Sequence, residues 1–98
     1  MKHIVVVERD LEDLIPGFMQ KRQDDIKAIL TAVHTKDYEA IRVIGHTLKG
    51  IGGGYGFDRI TELGAVIEQA GKQQDAGKAQ ELAQELKQYL NVVEICYE

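Results

Sequence analysis

The chain has 98 residues and one cysteine, which favours a single domain with one hydrophobic core and excludes an intramolecular disulfide or a multi-cysteine zinc site. Its formal net charge of -4 provides no basic surface for nucleic acid. No apolar run reaches the ~18 residues that a membrane span needs, and the apolar stretch of "MKHIVVVERD" is too short for a signal peptide, so we expect a cytoplasmic protein that contacts no membrane.

Two β-branched, alternating segments lie at the chain ends, "HIVVVE" and "VVEICYE", and this pattern is typical of strands. If the helices between them run up-down-up-down, the first helix starts at the end of the bundle where the last one finishes. One segment then enters at this end and the other leaves, so we expect them to pair antiparallel as a small two-stranded ribbon in which Cys96 is packed. A frayed N-terminus and a simple extension of the last helix are the alternatives.

Between the ends the helical period dominates, and it predicts helices at approximately 16–34, 37–52, 57–71 and 76–91. Pro16 suits the first position of the first helix, after a short turn over residues 10–15. Asp37 and Asp75 are predicted N-caps of the second and fourth helices. The apolar stripes comprise Phe18, Met19, Ile26, Ile29, Leu30 and Val33, then Ile41, Ile44, Leu48 and Ile51, then Ile60, Leu63, Ile67 and Ala70, and finally Ala79, Leu82, Ala83, Leu86, Tyr89 and Leu90.

Four amphipathic helices with short connections predict an all-α fold, an antiparallel up-down-up-down four-helix bundle that occupies residues 1–98 as one domain. Two glycines, Gly45 and Gly64, lie beside the apolar stripes of the second and third helices. Either they allow these two helices to approach closely, or they are ordinary weak helix positions that cost ~1 kcal/mol each.

Arg22 lies in phase with the apolar residues of the first helix. We expect either a partly buried arginine paired with a carboxylate such as Asp25 or Glu68, or a side chain that snorkels to solvent. His3 and His34 have no partner at metal-ligand spacing, so no metal site is predicted.

The stretch "GHTLKGIGGGYG", residues 45–56, has the glycine content of a phosphate-binding loop. A dinucleotide fingerprint needs glycines at i, i+2 and i+5, and counting from Gly50 or Gly52 places Tyr55 or Phe57 at the third position. A P-loop needs Gly-Lys-Ser/Thr, whereas the order in this stretch is Lys-Gly-Ile. The sequence therefore has no evident nucleotide site.

His46 lies about 140° around the second helix from Ile41, at roughly 100° per residue, on the side away from Ile44 and Leu48. It therefore faces solvent. An exposed imidazole with a lysine at i+3 and a glycine at i+4 suits a phosphoryl group, and an incidental surface histidine is the alternative. The residues on the same side of the helix are Glu39, Arg42, Lys49, Gly50 and Gly53.

The longer stretch "GHTLKGIGGGYGFDRITELGAVIE" resembles the signature of histidine-containing phosphotransfer (HPt) domains. In that family the histidine is followed by x-Leu-Lys-Gly, a glycine some ten residues on, and an apolar-spaced helix that ends near a glutamate. The match covers about a quarter of the chain and departs from the family in "IGGGY", where small polar residues and an apolar one are more usual. The matching positions are His46, Leu48, Lys49, Gly50, Gly56, Ile60, Leu63, Ile67 and Glu68.

The resemblance implies a phosphorelay intermediate. His46 would take a phosphoryl group from an aspartyl phosphate on a receiver domain, or from a histidine kinase, and pass it to another receiver aspartate. The neutral imidazole is a nucleophile that needs no separate base, and Lys49 would offset charge on the transferring oxygens. Arg42, Gly50 and Gly53 are the residues expected to meet the docked receiver.

The resemblance also implies a phosphocarrier rather than an enzyme, with no cofactor of its own and with Mg²⁺ supplied by the receiver. We expect a monomer whose partners are response-regulator receiver domains, a histidine kinase, or both. A module that docks receivers or kinases and inhibits them without carrying phosphate is a second hypothesis, and it would have no need of the His46 ring. A third is a dimerisation module built from the terminal segments, which would leave His46 without a role.

Overall fold

The computed structural model describes residues 3–98. Four helices form the predicted bundle, and each of their bounds lies within one residue of its predicted position, because the caps, glycines and apolar period that define them are local signals. No helix of this described part is both long and apolar enough to cross a membrane. In chain order the elements are β1 (His3–Val7), a 3-10 helix (Arg9–Leu14), α1 (Ile15–Thr35), α2 (Tyr38–Ile51), a 3-10 helix (Gly53–Tyr55), α3 (Asp58–Lys72), α4 (Ala76–Val92) and β2 (Val93–Tyr97).

Aspartate side chains begin two of the helices. Asp37 accepts a hydrogen bond from the backbone N–H of Ala40 at 3.1 Å, and Asp75 accepts one from the N–H of Lys78 at 3.0 Å. Each bond satisfies one of the backbone N–H groups that the start of a helix leaves without a partner. Both N-cap predictions are confirmed.

Arg22 is buried in the core, with 5% of its surface exposed. Its Nε donates to a carboxylate oxygen of Asp25 at 2.9 Å, and its guanidinium lies 4.7 Å from the centre of the Phe18 ring. Of the two predicted partners Asp25 is the right one, since Glu68 binds other side chains. Burial raises the pKa of Asp25, and the charge of Arg22 opposes this rise. The large side chains that are almost fully buried around this core are Val7, Ile29, Ile41, Leu48, Phe57, Ile60, Leu63, Ile67 and Leu86.

The two chain ends pair as a ribbon, but the predicted antiparallel direction is wrong. β1 and β2 run parallel, with His3 opposite Val93 and Val7 opposite Tyr97. β2 follows α4 directly, whereas a 3-10 helix of 6 residues separates β1 from α1. Over this segment, which the sequence indicated only as a lead-in turn, the chain changes direction before it enters the bundle.

The predicted packing of Cys96 is also wrong, because this side chain is exposed. Successive side chains of a strand point to opposite faces. In β2 the residues Val93, Ile95 and Tyr97 are partly buried, so Cys96 lies on the outer face of the ribbon.

Removal of residues 1–7 is expected to destabilise the protein, because it removes β1. Val5 and Val7 are 9% and 1% exposed, and burial of one such side chain stabilises a fold by ~1.5–3 kcal/mol. We therefore expect the free energy of unfolding, measured in urea, to fall by about 3 kcal/mol or more. Ile4→Ser is the matched control, since Ile4 is 64% exposed; a truncated chain as stable as this control would show that β1 contributes nothing.

Glycines seven residues apart line the contact between α2 and α3. At each of them an added Cβ would lie within 3.0 Å of backbone atoms of the facing segment. The two helices therefore pack backbone against backbone, at a separation that larger residues would not permit, and the close approach predicted at Gly45 and Gly64 is confirmed. The facing pairs are Gly45 with Glu68, Gly52 with Thr61, Gly64 with Lys49 and Gly71 with Arg42.

Candidate functional site

The close contact of α2 and α3 brings the predicted histidine beside a carboxylate. Gly45 packs against the backbone of Glu68, so the next residue of α2, His46, lies at the edge of the contact and reaches the Glu68 side chain. The His46 side chain is 68% exposed, as expected for a residue that faces solvent, whereas the Glu68 side chain is only 10% exposed. The nearly buried carboxylate of Glu68 thus holds the exposed imidazole ring of His46 through a hydrogen bond.

Glu68 binds two side chains of α2 at once. Nδ1 of His46 lies 3.0 Å from Oε2 of Glu68, and Nζ of Lys49 donates to Oε1 of Glu68 at 3.3 Å. Each carboxylate oxygen is therefore used by one α2 side chain. Lys49 keeps about half of its side chain in solvent, since 49% of it is exposed.

The bond to Glu68 determines the tautomer of a neutral His46 ring. A carboxylate only accepts hydrogen bonds, so Nδ1 must carry the proton that is donated to Oε2. Nε2 then holds the lone pair. Within residues 3–98 no other hydrogen bond to the ring is seen, so the site presents a solvent-facing nitrogen nucleophile whose opposite nitrogen is held in place.

The charge of Glu68 is maintained by its neighbours. Burial alone would raise the pKa of Glu68, but the hydrogen bonds from His46 and Lys49 and the charges of Lys49 and Lys72 lower it below its ordinary value. Glu68 is therefore ionised at neutral pH. The ionised carboxylate of Glu68 therefore accepts the hydrogen bond from Nδ1–H of His46.

The other predicted site residues lie around this group in different settings. Arg42 is one turn before His46, and it forms a two-bond ion pair with Glu39 that raises the pKa of Arg42 and lowers that of Glu39. Gly50 is one turn after His46, and a Cβ there would have no atom within 4 Å. Gly53 lies beyond the end of α2, where its N–H donates to Oγ1 of Thr61 at 2.8 Å.

Metal ligands are not grouped around His46. Among residues 3–98 no three His, Cys, Asp or Glu side chains lie together in a way that would hold a metal ion. The nearest acid, Glu68, already uses both oxygens for His46 and Lys49. Among the described residues, the side chains bonded to each other at this site are therefore those of His46, Glu68 and Lys49.

Sequence reasoning missed the role of Glu68. From the sequence, Glu68 was noted only as the last residue of the matching motif and as a possible partner for Arg22. A signal was present in the spacing of the glycines, because antiparallel pairing of Gly45 with Glu68 and of Gly64 with Lys49 aligns all the facing pairs in one register. The same register places the Glu68 side chain beside His46.

A comparison with protein families identifies the chain. The family model for the Hpt domain matches residues 10–94. The chain belongs to the Hpt domain family. No curated protein and no solved structure shows significant similarity to it.

Hpt domains are helical phosphocarriers that serve histidine phosphotransfer in two-component signalling, and they interact with receiver domains and kinases. A histidine phosphotransfer role therefore follows for this Hpt domain. The match to the family begins at residue 10 and ends at residue 94. It thus covers the four helices and leaves β1 and most of β2 outside.

Proposed function

We propose that this Hpt domain is a phosphorelay intermediate in which His46 carries the phosphoryl group. The observation that supports this most directly is the hydrogen bond of 3.0 Å from Nδ1 of the exposed His46 to the buried Glu68, which itself binds Lys49. An incidental surface histidine would not need a buried, ionised partner on the neighbouring helix. A docking module without phosphate would not need one either.

In the proposed step the lone pair of Nε2 attacks the phosphorus of an aspartyl phosphate. The N–P bond forms as the P–O bond to the aspartate breaks, and the aspartate leaves as a carboxylate. The ring keeps its proton on Nδ1 and becomes positively charged, and the ionised Glu68 stabilises this charge through the existing hydrogen bond. No base has to remove a proton, and the reverse sequence returns the group to another aspartate.

Lys49 acts on the phosphoryl oxygens in this proposal. Its ammonium is on the same side of α2 as the ring and is half exposed, so it can turn from Glu68 towards the transferring group. In a loose transition state the charge lies mainly on these oxygens, and a nearby cation is the main contribution that a protein can make.

Receiver domains of response regulators, and a histidine kinase where one is present, are the proposed partners. Gly50 leaves open space beside the ring for a partner pocket, and Arg42 offers a cation that an acidic partner would share with Glu39. An apolar cleft between α1 and α2 adjoins the site at Thr47 and includes Leu14, which is 52% exposed. Docking by Gly53 stays a prediction.

The Mg²⁺ of the reaction is proposed to come with the receiver. Both oxygens of Glu68 are bound to other side chains, so the residues around His46 do not fit a metal ion. The role of this chain is to hold Nε2 in place, to keep the proton on Nδ1, and to offset charge through Lys49.

The test is transfer of label from a phosphorylated receiver to the purified chain. We expect the chain to become labelled in a form that acid removes and alkali does not, which distinguishes phosphohistidine from an acyl phosphate. The control is the same mixture with an unphosphorylated receiver and free labelled phosphate. A chain that binds the phosphorylated receiver without becoming labelled would be a docking module, and the proposal would be wrong.

Glu68→Gln is expected to slow the labelling of His46 by about 10-fold to 100-fold, the range found when a metal-ligating histidine loses the hydrogen-bond partner that orients it. The amide oxygen can still accept from Nδ1–H, but it provides no charge to stabilise the ring. Glu62→Gln is the matched control on the same helix, because Glu62 is 64% exposed and pairs only with Arg59 among the described residues. Equal rates for the two variants would contradict the role given to Glu68.

Glu68→Gln and Glu62→Gln should also differ in how much stability they lose in acid. The pKa of Glu68 is lowered in the folded state from an ordinary value of 4.5, so its ionised form stabilises the fold at pH above 4.5. This stabilisation is lost as the pH falls through the lower, folded-state value. We expect thermal melts of Glu68→Gln to show less acid destabilisation than those of Glu62→Gln.

A further inference from the structure

Within residues 3–98, one edge of the ribbon is not covered by an extensive contact with the bundle. A sheet of two strands, β1 and β2, has two outer edges. The outer edge of β1 lies against the turn after α2, where a Cβ on Gly56 would be 3.0 Å from the carbonyl oxygen of Val6. The element that β2 contacts extensively within the described chain is β1, so the outer edge of β2 is the open one.

The hydrogen bonds of the ribbon show which backbone groups face this edge. The N–H of Glu98 donates to the Val7 carbonyl at 3.1 Å, and the carbonyl of Glu98 accepts from Arg9 at 2.9 Å. Both groups of Glu98 therefore point towards β1, and in a strand every second residue shares this direction. The N–H and carbonyl groups of Ile95 and Tyr97 must then point to the open edge.

This edge lacks proline and lysine, two of the residues that most often prevent pairing. Strand edges are commonly protected by proline, lysine or a covering helix. β2 contains neither proline nor lysine. Its N–H at Val93 is bonded to the Tyr89 carbonyl at the end of α4, so the open groups begin at the Val93 carbonyl and continue to Tyr97.

We propose that β2 pairs along this edge with β2 of a second copy of the chain, antiparallel, about a twofold axis at Ile95. In this register Ile95 donates to, and accepts from, Ile95 of the second copy. The N–H of Tyr97 donates a hydrogen bond to the carbonyl oxygen of Val93 in the second copy. The result is a symmetric dimer with a four-stranded sheet, a closed assembly of the commonest type.

The side chains of β2 fit a second copy of the same strand in this register. With the axis at Ile95, Glu94 of one copy lies opposite Cys96 of the other on the outer face, and all 5 residues of β2 are paired. An axis at Glu94 would place two carboxylates directly opposite each other, which is destabilising. The strand is thus self-complementary in one register, as an isologous contact requires.

The dimer would be an addition to the bundle shared by the family. The family match ends at residue 94 and begins after β1, so the ribbon lies almost wholly outside it. The inference does not depend on His46, and a chain that dimerises without accepting phosphate would leave it intact.

The first test is the mass of the wild-type chain in solution at high micromolar concentration, by light scattering and sedimentation. We expect twice the monomer mass of 11.0 kDa. Ile95→Pro removes the outward N–H without removing a bond between β1 and β2, and it should give a monomer; Ile95→Val keeps the N–H and should remain a dimer. A monomeric wild type, or a dimeric Ile95→Pro, overturns the proposal.

A second test does not depend on how well the proline variant folds. Directly opposite residues of an antiparallel, non-hydrogen-bonded pair have Cα atoms about 4.5 Å apart, within the range for a disulfide. Glu94→Cys should therefore form a disulfide with Cys96 of the second copy under mild oxidation, giving a covalent dimer on a non-reducing gel. The double variant Glu94→Cys, Cys96→Ser should not. Equal cross-linking of the two variants, or none in either, overturns the register.

Discussion

His46→Gln is expected to abolish phosphoryl transfer to this Hpt domain and to leave its fold unchanged. Glutamine has no nitrogen lone pair that can attack phosphorus, so the loss should be complete and not partial. The side chain at position 46 is 68% exposed, and surface substitutions usually change stability by less than ~0.5 kcal/mol. The measurement is label on the chain after incubation with a phosphorylated receiver, together with a urea unfolding curve.

His34→Gln is the matched control for this experiment. His34 is an exposed histidine in the last turn of α1, and it has no predicted role. It should become labelled like the wild type. If His46→Gln still takes up acid-labile label, another residue is the acceptor; if His34→Gln loses it, the assignment of the acceptor to α2 is wrong.

The position of the histidine could be predicted because it depends on one helix. The apolar residues Ile41, Ile44 and Leu48 fix the buried face of α2, and the exposure of His46 follows from the helical period. The caps at Asp37 and Asp75 are equally local. Signals of this kind are contained within a few residues, so the sequence reveals them.

The partner of the histidine could not be predicted in the same way. Glu68 is 22 residues from His46 along the chain, and its contact depends on the distance and register between two helices. The sequence suggested a close approach at Gly45 and Gly64, but not which side chains this approach would bring together. The two partners suggested for Arg22 show the same difference between near and distant residues. The correct partner, Asp25, lies one helical turn away, whereas the wrong one, Glu68, lies on another helix.

The prediction that β1 runs antiparallel to β2 was wrong for a related reason. The alternating pattern shows that a segment is a strand, but it carries no information on direction. Direction was inferred from the assumption that the chain passes straight into α1. This assumption is wrong because the 3-10 helix Arg9–Leu14 lies between β1 and α1. None of its residues is buried, so no apolar pattern marks it as a separate element.

Gly64→Ala is expected to destabilise the protein, although alanine is the better helix former. A Cβ at position 64 would lie within 3.0 Å of the backbone nitrogen of Lys49 and the carbonyl oxygen of Gly45. Neither atom can move without the whole helix, so α2 and α3 must separate. Overpacking of this kind costs about 1–3 kcal/mol or more, and the gain in helix propensity of ~1 kcal/mol offsets only part of it.

Gly50→Ala is the matched control, because the same substitution on α2 meets no atom within 4 Å. It should raise the free energy of unfolding by up to ~1 kcal/mol, so the two variants are expected to differ in sign. Urea unfolding of both measures this difference. A Gly64→Ala variant as stable as Gly50→Ala would show that the helices do not pack backbone against backbone.

The two glycine variants should also differ in phosphotransfer. Separation of α2 from α3 moves the backbone of Glu68 away from that of Gly45 and lengthens the bond from Glu68 to Nδ1 of His46. Gly64→Ala should therefore slow labelling even at temperatures where it is fully folded, by an amount that approaches the effect of Glu68→Gln. Gly50→Ala leaves the helix contact and the bond from His46 to Glu68 unchanged, so any smaller slowing in that variant would come from the methyl group added beside the ring.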